Sequence, residues 1–247
     1  MRSVLLLGLL SILFVSSANA QLFPNAPWHP RPNPRPNVRP FRPFQPKDNS
    51  VKSPQPEFVV KVRSVADQTI RGELIKDLND WGSGTLIDPQ HVLTVAHAVP
   101  LTMDRETTVI FKNGDVVKAE VVYINRLYDL TILKLEEVRY EIPVQMGGDI
   151  EAGDKVKLHG FPMAKEHRTK TGTVKPGFMS WTDDPLGIKI IFEITAVARD
   201  GDSGGPILKD GKLVGMVSAS FPNLIPANRA SQCVRLQTIR IAMDEIQ

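Results

Sequence analysis

The chain has 247 residues, 42% hydrophobic and 23% charged, with 20 prolines and a single cysteine. This composition excludes a wholly disordered, collagen-like or many-spanning chain, and one cysteine excludes an internal disulfide or a cysteine-cluster zinc site. Lys plus Arg number 30 against 27 Asp plus Glu, a net +3 that says nothing about where the charge sits.

Residues 1–20 read as an export leader. Arg2 is the only charge before residue 29, residues 4–15 are apolar apart from Ser11, and Ala18-Asn19-Ala20 is a small-x-small cleavage pattern. A helix of that run rises about 18 Å, short of a hydrocarbon core of about 30 Å. Cleavage after Ala20 is expected, leaving no transmembrane segment and no cysteine for a lipid anchor.

Residues 21–56 hold 11 of the 20 prolines, interleaved with Arg31, Arg35, Arg39, Arg42, Phe41 and Phe44. Proline fixes φ and removes donors, so an extended, solvated, polyproline-like arm is expected. With Lys47 and Lys52 against the lone Asp48, the arm carries +5. It reads as a stiff spacer, as a cationic segment docking on an anionic surface or partner, or as a removed pro-segment. Its texture is also similar to proline- and arginine-rich antimicrobial peptides.

From Phe58 short β-rich runs alternate with turn signals. Strands are expected at 58–63, 82–87, 92–95, 107–111, 116–124, 130–135, 155–158, 171–181, 188–194, 206–208 and 213–218. Asn113-Gly114 and Asp210-Gly211 mark hairpin turns. Residues 237–246 place Ile239, Ile241, Ala242 and Ile246 at helical spacing, a closing amphipathic helix. Residues 57–247 thus read as one all-β domain, barrel or sandwich, ending in a helix.

Chemistry concentrates at three places. Gly201-Asp202-Ser203-Gly204-Gly205-Pro206 puts a serine on a glycine turn, where the Gly201 and Ser203 amides can converge on one anion. A serine hydroxyl needs a base. His97, in Thr94-Val95-Ala96-His97-Ala98-Val99, follows an apolar strand. His91 sits in a Pro-Gln-His turn, while His159 and His167 lie in or beside the 160–172 loop and are expected to be solvated. The base needs an orienting carboxylate, and Asp129 opens the strand Leu130-Thr131-Ile132-Leu133-Lys134-Leu135.

TVAHAV, DLTILKL and GDSGGP, in the order His97, Asp129, Ser203, resemble the chymotrypsin-like serine peptidases. Gly82-Ser83-Gly84-Thr85-Leu86-Ile87 and Gly211-Lys212-Leu213-Val214-Gly215 extend the likeness across residues 57–247. The disulfide-free, compact spacing is similar to the Deg/HtrA and glutamyl-endopeptidase-like branches. Too little chain follows Ser203 for a C-terminal PDZ module, a departure from the Deg/HtrA pattern. The resemblance implies two six-stranded antiparallel β-barrels and a secreted or periplasmic endopeptidase acting on protein or peptide substrates. Ser203 would be the nucleophile, His97 the base, Asp129 its orienter, and the Gly201 and Ser203 amides the oxyanion hole. Neither a metal nor an organic cofactor is implied.

By the same resemblance, Val197 and Ala198 would line the base of the primary specificity pocket. Ser218, Ala219 and Ser220 would form its wall and pair with substrate backbone. Those residues imply a small-to-medium aliphatic preference. Cys233 reads either as a buried hydrophobe or as a pocket neighbour. Asp202 stands where related zymogens hold the acid that pairs with a freed N-terminus. The family's junction is missing, and a cut at the nearest stretch, Val62-Arg63-Ser64-Val65, would sever the first expected strand, so a backbone group or polar side chain is expected to satisfy Asp202 without an activating cut. The competing readings are a catalytically silent binding module and a carrier for the cationic arm. Removing leader and arm leaves 23 basic and 26 acidic residues in 57–247, which argues against nucleic acid as the domain's partner.

Overall fold

Val60, Val62, Leu86, Val92, Val109, Val117 and Leu133 close around one apolar centre, and the strands that carry them wrap into a barrel. The computed structural model describes residues 50–70, 73–99, 105–177, 191–221 and 230–247. These fall in the second of two units, Lys47–Gln247. The leader, the arm up to residue 49, and residues 178–190 of the two strands expected at 171–181 and 188–194 lie outside the described residues.

The first sheet comprises β1 (Val59–Ile70), β2 (Glu73–Asp88), β3 (His91–Thr94), β4 (Glu106–Ile110), β5 (Val116–Asn125) and β6 (Leu130–Leu135). It closes in the order β1-β2-β3-β6-β5-β4, every pair antiparallel. The second comprises β7 (Lys155–Gly160), β8 (Arg168–Thr173), β9 (Ile191–Ile194), β10 (Pro206–Lys209), β11 (Lys212–Phe221) and β12 (Ala230–Arg235). Its order is β8-β7-β10-β11-β12-β9, and a Val174–Ile194 bridge links its outer strands. Two six-stranded antiparallel sheets followed by α1 (Leu236–Asp244) are the architecture the resemblance implies.

Each sheet has its own core, and a third cluster joins them. Phe192, Val217, Cys233, Ala196 and Ala198 pack inside the second sheet. Ile87, Leu93 and Leu130 from the first meet Leu213, Met216 and Val234 from the second, with Leu236, Ile239 and Ala242 of α1 sealing the seam. Buried apolar side chains of this size contribute about 1.5–3 kcal/mol each. The seam therefore fixes the two sheets against one another without a disulfide.

Three differences from the sequence expectation have physical causes. β1 and β2 extend into a long hairpin whose outer half, with Glu73, Lys76 and Asp77, is exposed and carries no apolar alternation. β12 was not anticipated, because Ala230 to Val234 is buried on both faces and shows no period of two. β8 begins at Arg168, in what the sequence reads as loop. The folded unit also reaches back to Val51, which exchanges backbone hydrogen bonds of 2.8 and 3.0 Å with Thr169.

Candidate active site

The barrel places the candidate base His97 and its candidate carboxylate Asp129 on the connections that follow β3 and precede β6. β3 ends at Thr94, and the 3-10 turn Ala96–Ala98 holds His97 with its neighbours buried and its own side chain half-exposed. Arg126 closes this turn by donating to the Val99 carbonyl at 2.7 Å. Asp129 precedes β6 with φ 51°, a left-handed conformation that aspartate tolerates better than most residues. The Asn125 side chain stabilises that turn by accepting from the Leu127 and Tyr128 amides.

Asp129 grips His97 twice. Its carboxylate accepts from the His97 backbone N–H at 3.0 Å and lies 2.9 Å from the ring Nδ1. This fixes the ring's position and leaves Nε2 as its other face. The Asp129 hydrogen bond raises the His97 pKa above its ordinary 6.5; burial opposes the rise. A third bond reaches Asp129 from the other sheet, where Ser218 donates its hydroxyl at 2.5 Å. Pairing of β11 with β12 slips by one residue between Val217 and Ala219. Such a bulge re-aims a side chain, and here Ser218 turns to the carboxylate. Ser218, expected as a substrate contact, thus commits its hydroxyl to positioning Asp129.

The nucleophile turn is clamped from three sides. Ser83 of β2 donates its N–H to the Ser203 carbonyl at 2.7 Å and its hydroxyl to the Gly201 carbonyl at 2.7 Å. The same hydroxyl accepts from the Phe161 amide at 3.0 Å. Met163 donates to the Asp200 carbonyl at 2.6 Å, and Gly205 to that of Asp202 at 3.0 Å. In a trans peptide the N–H points opposite the preceding carbonyl. Anchoring the carbonyls of residues 200 and 202 therefore aims the Gly201 and Ser203 N–H groups. Among the described residues neither donates to a protein acceptor. Gly204 is required by its φ of 86° and because a Cβ there would lie 2.0 Å from the Ser83 carbonyl oxygen.

Gly82 joins the two halves of the site. A Cβ on it would sit 3.1 Å from the Ser203 carbonyl oxygen and 3.3 Å from Ala98 Cβ. The serine turn and the histidine turn thus approach over a residue without a side chain. Ser203 Oγ and the His97 ring are not hydrogen-bonded in this structure; such bonds are often loose before substrate binds.

Asp202 is fully buried, and its Oδ2 accepts from Lys170 Nζ at 2.6 Å and from the Arg199 amide at 2.8 Å. Lys170 also donates to the Val197 carbonyl at 3.0 Å. Ser83 and Lys170 carry these contacts, and neither had a role assigned from sequence. Ser83 lies within a Gly-Ser-Gly motif, whereas Lys170 in Arg-Thr-Lys-Thr-Gly-Thr carries no local signal.

Val197 is half-buried, while Ala198 is buried beside Cys233. Ser231 ties that segment down by accepting from the Ala198 amide and donating to the Ala196 carbonyl. Cys233 is fully buried and burial raises its thiol pKa well above the usual value, the inert hydrophobe-like state. The Ala219 and Ser220 side chains lie outside the described residues, but their backbone pairs with β12. β10 pairs with β11 only as far as Met216, which leaves the opposite edge of residues 218–220 open among the described residues. His159 and His167, expected to be solvated, are both 7% exposed and stacked on each other.

The chain matches the trypsin-like peptidase domain over residues 82–216. The chloroplastic Protease Do-like 1 of Arabidopsis thaliana is 27% identical over 147 residues, covering 57% of this chain and 33% of that protein. Serine endoprotease DegS of Haemophilus influenzae is 26% identical over 177 residues, covering 70% and 52%. The chain therefore spans between a third and about half of these relatives. Among solved structures, the active form of the Rv3671c protease from M. tuberculosis superposes with a TM-score of 0.64 at 21% identity, over 83% of this chain and 93% of that one. The serine endoprotease from Yersinia pestis gives 0.60 at 20% identity, over 77% and 62%. At such identities the likeness speaks for the fold.

Proposed function

The chain belongs to the trypsin-like peptidase domain family, and from that membership we propose that it is an exported serine endopeptidase working through His97, Asp129 and Ser203. The observation that carries the reading is the paired grip of Asp129 on the His97 amide and ring. It fixes the ring with Nδ1 on the carboxylate and Nε2 turned away from it, the orientation a general base needs.

In this reading a substrate strand adds to the open edge of residues 218–220. His97 Nε2 takes the Ser203 proton as Oγ attacks the scissile carbonyl. Asp129 stabilises the imidazolium that forms. The Gly201 and Ser203 N–H groups bind the oxyanion, a contribution of about 10²–10³ in turnover per donor. His97 then protonates the leaving amine, and water hydrolyses the acyl-enzyme. Val197 and Ala198 offer no charge to a cleavage-site side chain, which supports a small-to-medium aliphatic preference. The leader pattern in residues 1–20 supports export to the periplasm or medium.

A labelled fluorophosphonate tests the assignment. Adduct formation on Ser203, lost in Ser203→Ala together with peptide hydrolysis, is the expected result. Hydrolysis retained by Ser203→Ala would refute it. A cleavage profile dominated by Lys or Arg would refute the aliphatic pocket alone.

A further inference from the structure

The folded part carries more acid than base in total, yet its cations are not evenly spread. Two adjoining cavities, of about 400 and 570 Å³, share Lys61, Lys165 and Glu166. The first adds Lys52, Lys112 and the buried His167; the second adds Arg168 and Arg199. Six cations thus line one continuous groove against a single carboxylate. Glu166 pairs with Lys52 at 3.0 Å and Arg168 at 3.8 Å. Lys61 donates to the Ala164 carbonyl and lies over the Phe161 ring. Lys112 and Lys165 are exposed.

The groove abuts the nucleophile turn. Arg199 opens the Arg199–Ser203 segment, and Lys61 stands opposite Ser83, whose amide and hydroxyl hold that turn. The 161–165 segment packs on it through the Met163–Asp200 bond, and Phe161 O lies 2.5 Å from where a Gly201 Cβ would be. β11 flanks the same turn through Gly204 and Gly205, which exchange backbone bonds with Val217. A substrate strand whose acyl half follows β11 must send its leaving-group half toward the 161–168 segment and its cations.

We propose that this groove receives an acidic peptide segment, the Asp- or Glu-bearing residues of the substrate just beyond the scissile bond. The inference rests on the endopeptidase reading for its direction and on the groove's own charge for its ligand. Lys52 belongs to the lining itself, and residues 21–49 carry +4, the same sign as that lining, so their charge does not suit the groove. Exposed groove charges act through association and fade with salt.

Internally quenched peptides with one aliphatic cleavage site and acidic, neutral or basic residues on the leaving-group side test this on the full-length chain. The acidic series should show a kcat/KM about tenfold above the basic series at low salt, carried mainly by KM and collapsing at 0.5 M NaCl. Lys112→Glu with Lys165→Glu should abolish or invert the ratio, Lys112→Arg with Lys165→Arg should keep it, and the charge-matched Lys134→Glu with Lys212→Glu should also keep it. No acidic preference, or one that survives the groove reversal, overturns the proposal. Anisotropy of a labelled acidic peptide on the Ser203→Ala chain reads the groove without turnover, so a failed peptidase reading and an empty groove give different results. Acidic-peptide binding lost on groove reversal supports the proposal. Tighter binding of single-stranded RNA or anionic vesicles, lost on the same reversal, overturns the peptide assignment.

Discussion

Lys170 Nζ lies 2.6 Å from Asp202 Oδ2, with the lysine side chain 6% exposed and the aspartate fully buried. The acid sits one residue before Ser203, and its cation comes from β8 rather than from a chain terminus. The same ammonium holds the Val197 carbonyl, so one residue braces both the serine turn and the adjoining pocket segment. The sequence expectation of a backbone group or polar side chain for Asp202 is met by both, the Arg199 amide and Lys170.

Lys170→Met would leave the Asp202 carboxylate buried without its cation. Breaking one half of a buried pair typically costs about 3–5 kcal/mol, and the serine turn loses its brace. The expected outcome is a large drop in denaturation midpoint, with kcat lowered more than KM is raised at a temperature where the variant is folded. Lys170→Arg should recover much of the stability and part of kcat. Wild-type stability in Lys170→Met would show that other contacts hold the turn.

The grip of Asp129 on His97 sets a pH prediction. The hydrogen bond between the ring and the accepting Asp129 carboxylate raises the histidine pKa above 6.5, and in the proposed mechanism only the neutral ring accepts the serine proton. The acid limb of kcat/KM should therefore have its midpoint above 6.5, with activity lost below it. Asp129→Asn removes the cause of the rise, so the limb moves down in pH while the plateau falls by about 10⁴, the loss found when a triad aspartate becomes asparagine. Initial rates between pH 5 and 9 measure both. An unmoved limb would mean that another group titrates in that range.

What was legible in the sequence, and what was not, divides along physical lines. Strands with one apolar face, such as β4 and β5, announce themselves by period and by the Asn113-Gly114 turn between them. The outer half of the β1–β2 hairpin is exposed even at its adjacent Leu74 and Ile75, and β12 is buried on both faces, so neither shows alternation. The triad candidates were legible because backbone chemistry dictates their surroundings: glycines around Ser203, a tight turn at His97, a strand start at Asp129. Lys170, Ser83 and the Ser218 hydroxyl act through tertiary contacts 32, 118 and 89 residues away in sequence. Local pattern carries no trace of such partners. The groove was hidden for the same reason, since its cations come from Lys52, β1, Lys112 after β4, the 161–168 segment and Arg199.

Ser83 supplies a sharper test of how the oxyanion donors are held. Its hydroxyl bridges the Phe161 amide and the Gly201 carbonyl. Ser83→Ala leaves both groups without that partner, a cost of about 1–3 kcal/mol for an unsatisfied buried group. Because the donors themselves remain, the expected loss in kcat is about tenfold, smaller than the 10²–10³ for removing one. KM should change little. Burst kinetics with an active-ester substrate would place the loss in acylation; an unchanged acylation rate would remove Ser83 from the positioning network.

The stacked pair His159–His167 makes the fold acid-sensitive. Their rings are 5.3 Å apart, His159 Nδ1 lies 3.2 Å from His167 Nε2, and His167 Nδ1 reaches the Ser53 carbonyl. Burial chiefly, with His167 and Lys157 adding repulsion, pushes the His159 pKa down to about 4. Burial also lowers that of His167, against the Ser53 bond, with Lys112 reinforcing the fall. A base depressed in the fold titrates first in the unfolded chain. Stability is therefore full above pH 6.5 and declines as pH falls toward about 4, at up to ~1.4 kcal/mol per pH unit for His159. Since Val51 pairs with Thr169 of β8 and the Ser53 carbonyl meets His167 Nδ1, residues 51–56 should lose amide protection first. Urea unfolding from pH 4.5 to 8 should give a steep acid decline in the wild type and a shallower one in His159→Gln. Parallel curves would move the acid sensitivity to the carboxylates instead.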